Sequence, residues 1–178
     1  MPYPVLALDG HDGTGKTELA RGLARCVGAR VLAPFQGERG RRLIGAYESG
    51  RYEEVVAVGA EALAHAVAEA EEGPLILDRS WLTVSTLLPE QMFRERWRIW
   101  PRTVLLWCNL ETTMERLARR SHEAPEERAY HAHFLPLYLE RRRLREGPVI
   151  RTDLETPEEC LRRLEALWRA SAAPIDPV

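Results

Sequence analysis

The sequence predicts an α/β fold with a five-stranded parallel sheet and helices on both faces. Three observations carry that expectation. Short β-branched or Leu-rich runs alternate with longer helical stretches, the pattern of a parallel sheet wrapped by helices. The runs are too uniformly apolar to keep one face in water, as befits strands covered on both sides. The first run also leads straight into a glycine-rich loop that opens a helix.

Strands are expected at Val5–Asp9, 30–33, Leu75–Asp78, 103–108 and Val149–Arg151. After the first of them Leu19, Leu23 and Val27 recur every four residues, a stripe facing the core. Thr112 with Glu115, and Thr156 with Glu159, have capping-box spacing, and Pro157 suits a first helical position. On that last helix Leu161, Leu164 and Trp168 should face inward. Pro136 interrupts the helical stretch before it, where an interior proline costs about 3 kcal/mol of helix stability. No internal repeat or linker divides the chain, so residues 1–178 are expected to form one domain with a loosely held tail over 171–178.

Composition narrows the functional classes. The chain has 178 residues, 45% hydrophobic and 29% charged, enough for a single core and unlike a disordered segment. A formal net charge of -2 supplies no basic excess for a nucleic-acid backbone. The opening MPYPVLALDG is too short for a signal or membrane segment and runs directly into a motif, so no membrane partner and a cytoplasmic location are expected. Cys26, Cys108 and Cys160 are odd in number and widely spaced, which fits reduced core thiols. His122, His131 and His133 do not share a helical face and are expected as lid or surface residues.

The basic residues are distributed unusually. Of 25 Lys and Arg residues, 24 are Arg, and the single Lys is Lys16. It lies in Gly10-His11-Asp12-Gly13-Thr14-Gly15-Lys16-Thr17, a GxxxxGK[ST] loop between an expected strand and an expected helix. Glycines let such a backbone curl so that its N–H groups point at a phosphate, and the helix that follows directs its positive end there. Lys16 would bridge the β- and γ-phosphates, and Thr17 would offer its hydroxyl to Mg²⁺. Leu75–Asp78 is an apolar strand ending in an acid, which suits Asp78 to ordering water around that metal, and Arg79 follows at the sheet's ligand edge. ATP and Mg²⁺ are therefore the expected cofactors. A guanine-reading Asn-Lys-x-Asp segment is excluded because no second Lys exists, and the chain is too short for the partner domains of a motor or transporter.

Residues 5–17 (VLALDGHDGTGKT), 77–86 (LDRSWLTVST), 127–138 and 150–161 (IRTDLETPEECL) resemble the thymidylate kinase family, in that order. The first two segments are the specific ones. The resemblance implies a P-loop kinase fold with a mobile lid near 117–130, usually a homodimer, and γ-phosphoryl transfer from ATP to a (deoxy)nucleoside monophosphate. It aligns Asp12 with an aspartate contacting the acceptor's sugar hydroxyl and Asp9 with the acid closing the first strand on the acceptor side. Asp78 and Arg79 align with a pair at the metal and the acceptor phosphate. Asp153 falls in the loop on the adenine side. Arg116, Arg119 and Arg120 would present guanidiniums on one helical face to stabilise charge as the phosphoryl group detaches. Phe35, Trp81 and Tyr138 offer surfaces for stacking an acceptor base. The acceptor half departs from the family pattern: Ala33-Pro34-Phe35-Gln36 replaces Arg-Glu-Pro, Ala62 replaces an arginine, and Leu87 and Leu88 replace the Tyr and Gln beyond the Asp-Arg pair. Two alternatives therefore stay open, a kinase for a nucleoside or other small alcohol, and a nucleotide-binding regulatory protein without turnover.

Overall fold

Successive side chains of a strand face opposite sides of its sheet, so a run that is apolar throughout needs cover on both. The computed structural model describes residues 3–119 and 127–172, the last two by backbone alone, and supplies that cover. Strands β1 (Val5–Asp9), β2 (Arg30–Leu32), β3 (Leu75–Asp78), β4 (Thr103–Trp107) and β5 (Val149–Arg151) form one parallel sheet in the order β2-β3-β1-β4-β5. Ala7, Leu75, Leu77 and Leu105 pack into one core layer, while Leu6, Leu8, Ile76, Val104, Leu106 and Ile150 pack into the other.

The second layer is closed by α1 (Lys16–Val27) and α8 (Pro157–Ala172), which pack on each other. Leu19 and Leu23 are buried on α1 and Val27 is partly so; Leu164 and Trp168 are buried on α8, with Leu161 packed at the margin. The first layer is covered by α2 (Gly37–Glu48), α3 (Tyr52–Ala68), α4 (Trp81–Thr86), α5 (Glu90–Arg96) and α7 (Arg128–Arg141). Between β4 and α7 lies α6 (Leu110–Ala118).

Several local expectations are corrected. Strands β2 and β4 each stop one residue short of the expected end. The Thr156–Glu159 capping box is present, with the Thr156 N–H donating to Glu159 at 2.8 Å and the Glu159 N–H to Thr156 Oγ1 at 3.2 Å. The Thr112–Glu115 box is absent, because Asn109 caps α6 instead by accepting from the Thr112 N–H at 2.8 Å. Helix α7 continues through Pro136, and four of its residues on either side, Phe134, Leu135, Tyr138 and Arg141, are buried. That burial outweighs the proline's local cost. The tail expected over 171–178 begins as helix through Ala172, and 173–178 lie outside the described residues. Cys108 and Cys160 are buried free thiols, but Cys26 is exposed.

The strand order fixes the location of chemistry. β1 and β3 are neighbours, and the chain leaves β1 for α1 on one face and β3 for α4 on the other, which opens a crevice beyond the strands' carboxyl ends. Leu8 pairs with Asp78, and the Arg79 N–H continues the ladder to the Leu8 carbonyl at 2.9 Å. The loop after β1 and the segment after β3 are thereby placed side by side.

Candidate active site

The loop after β1 reaches α1 through three glycines with positive φ, Gly10 at 149°, Gly13 at 79° and Gly15 at 82°. Two of them are required for different reasons. A Cβ at Gly10 would collide with the Leu106 carbonyl oxygen, whereas Gly15 has open space around it and is needed for its left-handed backbone as the α1 N-cap. The sequence suggested that the glycines let the backbone curl around a phosphate. At Gly10 the room is made for the neighbouring strand.

Inside the loop Lys16 is only 6% exposed, and its Nζ donates to the His11 carbonyl at 2.6 Å. Thr14 Oγ1 donates to the same carbonyl at 2.8 Å. Burial and then the positive charge of Arg79 push the Lys16 ammonium down to about 7, against the opposing pull of Asp12, Asp78 and Asp9. Thr17 Oγ1 donates to Asp78 Oδ2 at 2.6 Å, which places a hydroxyl and a carboxylate together beside the loop. Hard oxygen donors of this kind, able to share a cation with water, fit Mg²⁺. Three loop glycines, a lysine and the amino end of α1 likewise fit the phosphates of a nucleotide.

Arg79 adopts φ 81°, the single positive value among the described non-glycine residues. Such a conformation costs about 1–3 kcal/mol and persists only where the surroundings hold it. Here the guanidinium is the holder: it forms an ion pair with Asp12 Oδ1 and makes longer contacts of 3.4 Å to the Gly10 carbonyl, Thr83 Oγ1 and Tyr138 Oη. Burial pushes the Asp12 carboxyl up, but the charges of Arg79 and Lys16 outweigh it and hold the group well below the usual carboxylate range. Burial raises the Tyr138 hydroxyl, so it stays protonated.

Two cavities meet at these residues. The smaller, about 230 Å³, is lined by Gly13, Gly15, Lys16, Thr17 and Asp78 together with Asp12, Phe35 and Arg79. The larger, about 610 Å³, shares Asp12, Phe35 and Arg79 with it and extends between α2, α4 and α7. Its walls carry Tyr47, Tyr130, Phe134 and Tyr138, and α2 adds Arg41 and Glu48.

Several expected site residues are placed elsewhere. Asp9 is fully buried and accepts five hydrogen bonds, from the N–H of Gly10, the N–H and hydroxyl of Ser80, and the N–H and hydroxyl of Thr83, at 2.6–3.0 Å. It anchors the start of α4 and lines neither cavity, so its expected acceptor contact is corrected. Burial pushes its carboxyl up, against those hydrogen bonds and the charge of Arg79. Trp81, expected as a stacking surface, is 2% exposed and packs against Phe93 and Trp100 in the core.

Arg116 is not a lid arginine either. It donates to the Gly13 carbonyl at 3.0 Å and to the hydroxyl and carbonyl of Thr152 at 3.0 and 2.5 Å, tying the phosphate loop to the segment after β5. Arg119 is exposed beyond the end of α6, and Arg120, with 121–126 of the expected 117–130 lid, lies outside the described residues. Asp153 accepts from Arg151 at 2.8 and 2.9 Å and from the Asn109 N–H at 3.2 Å, so its carboxylate ties the end of β5 to the start of α6 and lines neither cavity.

Sequence reasoning also missed contributors. His131, expected at the surface, is 1% exposed and its Nδ1 lies 2.7 Å from His11 Nε2. Tyr130 and Phe134 on the same helix line the larger cavity, as does Thr83 of α4. Spacing on α7 signalled none of them, because only the packing of that helix against the phosphate loop decides which residues face it. His122 lies outside the described residues.

The sheet order, the loop and the crevice define a P-loop kinase fold. Among solved structures the chain is similar to thymidylate kinase from Candida albicans, with a TM-score of 0.69 and 15% identity over 95% of this chain and 92% of that one. It is also similar to deoxyadenosine kinase from M. mycoides: the form with bound dATP gives a TM-score of 0.67 at 14% identity, covering 93% of this chain and 99% of that one. The form with bound dCTP gives 0.61 at 13% identity with the same coverage. No protein-family model and no curated protein sequence matches the chain. At these identities the likeness establishes the fold. No helix among the described residues is long and apolar enough to cross a membrane.

Proposed function

We propose that the chain transfers the γ-phosphoryl group of ATP, with Mg²⁺, to a small acceptor held in the aromatic cavity, and that this acceptor is a (deoxy)nucleoside monophosphate. The observation that carries the reading is the shared wall. Asp12, Phe35 and Arg79 border both the phosphate-loop cleft and the aromatic cavity, so donor and acceptor would meet across them. A loop that only held nucleotide would need no second cavity sharing Asp12, Phe35 and Arg79 with its cleft.

Lys16 and the loop N–H groups would hold the donor phosphates, and Thr17 with Asp78 would hold the metal. Bound Mg²⁺ supplies charge neutralisation for the transferring group. The protein's own task is then positioning and electrostatics. Phe35 and the α7 aromatics give a planar ring an apolar slot while excluding water, and Arg79 supplies the guanidinium nearest the junction. Its three 3.4 Å contacts are long enough to yield to a phosphate, which would gain a bidentate partner.

One observation favours a nucleoside or other small alcohol instead. Asp12 already neutralises Arg79, which leaves the junction with less spare positive charge for an acceptor phosphate. Acceptor-stimulated ADP formation, screened over nucleosides, their monophosphates and small alcohols, tests the reading. ADP release with a monophosphate supports it, and release with uncharged acceptors only selects the alcohol kinase. ATP binding without acceptor-stimulated release points to a regulatory protein.

A further inference from the structure

Two residues on the cavity-facing stripe of α2 work against their own helix. Arg41, Ile44, Gly45 and Glu48 line the aromatic cavity, and their spacing puts them on one helical face. Gly45 stands in the helix interior, where glycine is weaker than alanine. No neighbour demands it, because a Cβ built there meets nothing within 4 Å. Glu48 ends the helix and puts a negative charge at the negative end of the helix dipole, with no basic residue in the last turn to offset it. Among the described residues it makes no hydrogen bond or ion pair, not even with Arg41 two turns back. Residues that weaken an element and gain no contact of their own are expected where a ligand uses them.

Both residues sit at the end of the cavity remote from the phosphate loop. Phe35, two residues before α2, borders both cavities, so the amino end of α2 marks their junction. At 1.5 Å per residue, Glu48 lies roughly 16 Å along the helix axis from Gly37. Helical side chains lean towards the amino end, so Glu48 overhangs the turn in which Gly45 leaves its space. Tyr47 of α2 and Phe134 of α7, both on the cavity wall, meet at this end with ring centroids 6.2 Å apart. An acceptor whose reacting group lies at the junction would therefore lay its ring against these aromatics and turn its far edge to Glu48. An ionised carboxylate only accepts hydrogen bonds, so that edge must donate.

We propose that Glu48 is a specificity-determining residue that accepts a hydrogen bond from an exocyclic amino group on the acceptor's heterocycle, while the space at Gly45 seats the edge of the ring. The favoured acceptors are then amino-bearing bases of the cytosine or adenine kind, ahead of their oxo counterparts. A carbonyl oxygen in the amine's place would face the carboxylate with no hydrogen between them. Sites built around a hydrogen bond reject analogues that cannot make it far more strongly than sites built on shape alone. The inference deepens the kinase reading and rests on the aromatic cavity being the acceptor site.

The test compares kcat/KM within two pairs that differ by amino for oxo, dCMP with dUMP and dAMP with dIMP, and within the corresponding nucleosides. The wild type should prefer the amino member by about tenfold or more, the value of a hydrogen bond to a charged group. Glu48→Gln, whose amide can also donate to a carbonyl, should shrink that preference by about tenfold without raising the KM for ATP. Gly45→Ala should raise the melting temperature through helix propensity and yet raise acceptor KM by at least about threefold, a split that a merely structural glycine would not show. An equal or reversed preference in the wild type overturns the proposal alone. So does a preference that Glu48→Gln leaves intact, or a stabilised Gly45→Ala with acceptor KM unmoved. A wild type that uses no acceptor removes the proposal together with the kinase reading.

Discussion

Thr17 and Asp78 are 61 residues apart in sequence, and the Thr17 hydroxyl donates to Asp78 Oδ2 at 2.6 Å. One residue lies in the first turn of α1 and the other ends β3, so the contact depends on β1 and β3 being neighbours in the sheet. The pair assembles two oxygen donors where a metal would meet the phosphates.

Asp78→Asn should therefore weaken Mg²⁺ dependence more than nucleotide affinity, because the phosphate cradle consists of backbone and Lys16. The Mg²⁺ concentration for half-maximal activity is expected to rise by about tenfold or more, as for other altered metal environments. Nucleotide binding measured in EDTA should change little. An unchanged metal titration would leave Asp78 as a structural partner of Thr17.

Lys16→Ala should abolish transfer by about 10³-fold or more, the loss expected for a charge partner of the transition state. The buried ammonium adds a pH signature. Its pKa falls from 10.5 to about 7 in the folded chain, so between those values the unfolded chain holds a proton that the folded one lacks. Stability contributed by this group accordingly rises as pH climbs from about 7 towards 10.5, and Lys16→Ala should remove that slope. Triphosphate binding would restore the charge, so ATP binding at pH 8 should take up close to one proton. Calorimetry in two buffers of different ionisation enthalpy measures it, and an uptake of zero would mean that Lys16 is already charged.

Arg79→Lys separates the two acceptor readings. Lysine keeps the charge but loses the planar fork that meets a phosphate through two hydrogen bonds. With a monophosphate acceptor, both acceptor KM and kcat should worsen while ATP affinity holds. A defect in kcat with acceptor KM unmoved is the pattern of a contact made only in the transition state, and it would promote the nucleoside or small-alcohol kinase.

Asp9→Asn should cost stability without selectivity. An amide can accept through one oxygen only, and its NH₂ would face the donors of Ser80 and Thr83, leaving buried groups unpaired at about 1–3 kcal/mol each. Trp81→Ala should behave similarly, with a core loss of about 3–5 kcal/mol. Chemical denaturation should show both losses, and neither folded variant should discriminate between acceptors differently from wild type. A selective rise in acceptor KM for either would return that residue to the acceptor site.

The phosphate loop was legible from the residues, although the places of Arg116 and Asp153 beside it were not. Glycine spacing, the single lysine and an acid at the end of an apolar strand are local signals, and their meaning does not depend on what packs against them. The five strands and the helices after β1 and β5 were visible for the same reason, since periodicity and caps are properties of short segments. The lining of the aromatic cavity was not. Asp9 and Asp12 are three residues apart and chemically identical, yet one turns into the start of α4 and the other towards Arg79, because β1 ends between them and the loop reverses direction. Trp81 and Tyr138 looked equally suited to stacking, and only the packing of α4 and α7 sends one into the core and leaves the other on the cavity wall. His11 and His131 are 120 residues apart and meet because α7 crosses the phosphate loop. The sequence by itself determined the sheet, the phosphate loop and its cation, while tertiary packing alone decided which polar and aromatic side chains face the aromatic cavity. A helix or strand fixes spacing along its own axis, but the orientation of a side chain towards a distant one is set by how whole elements dock.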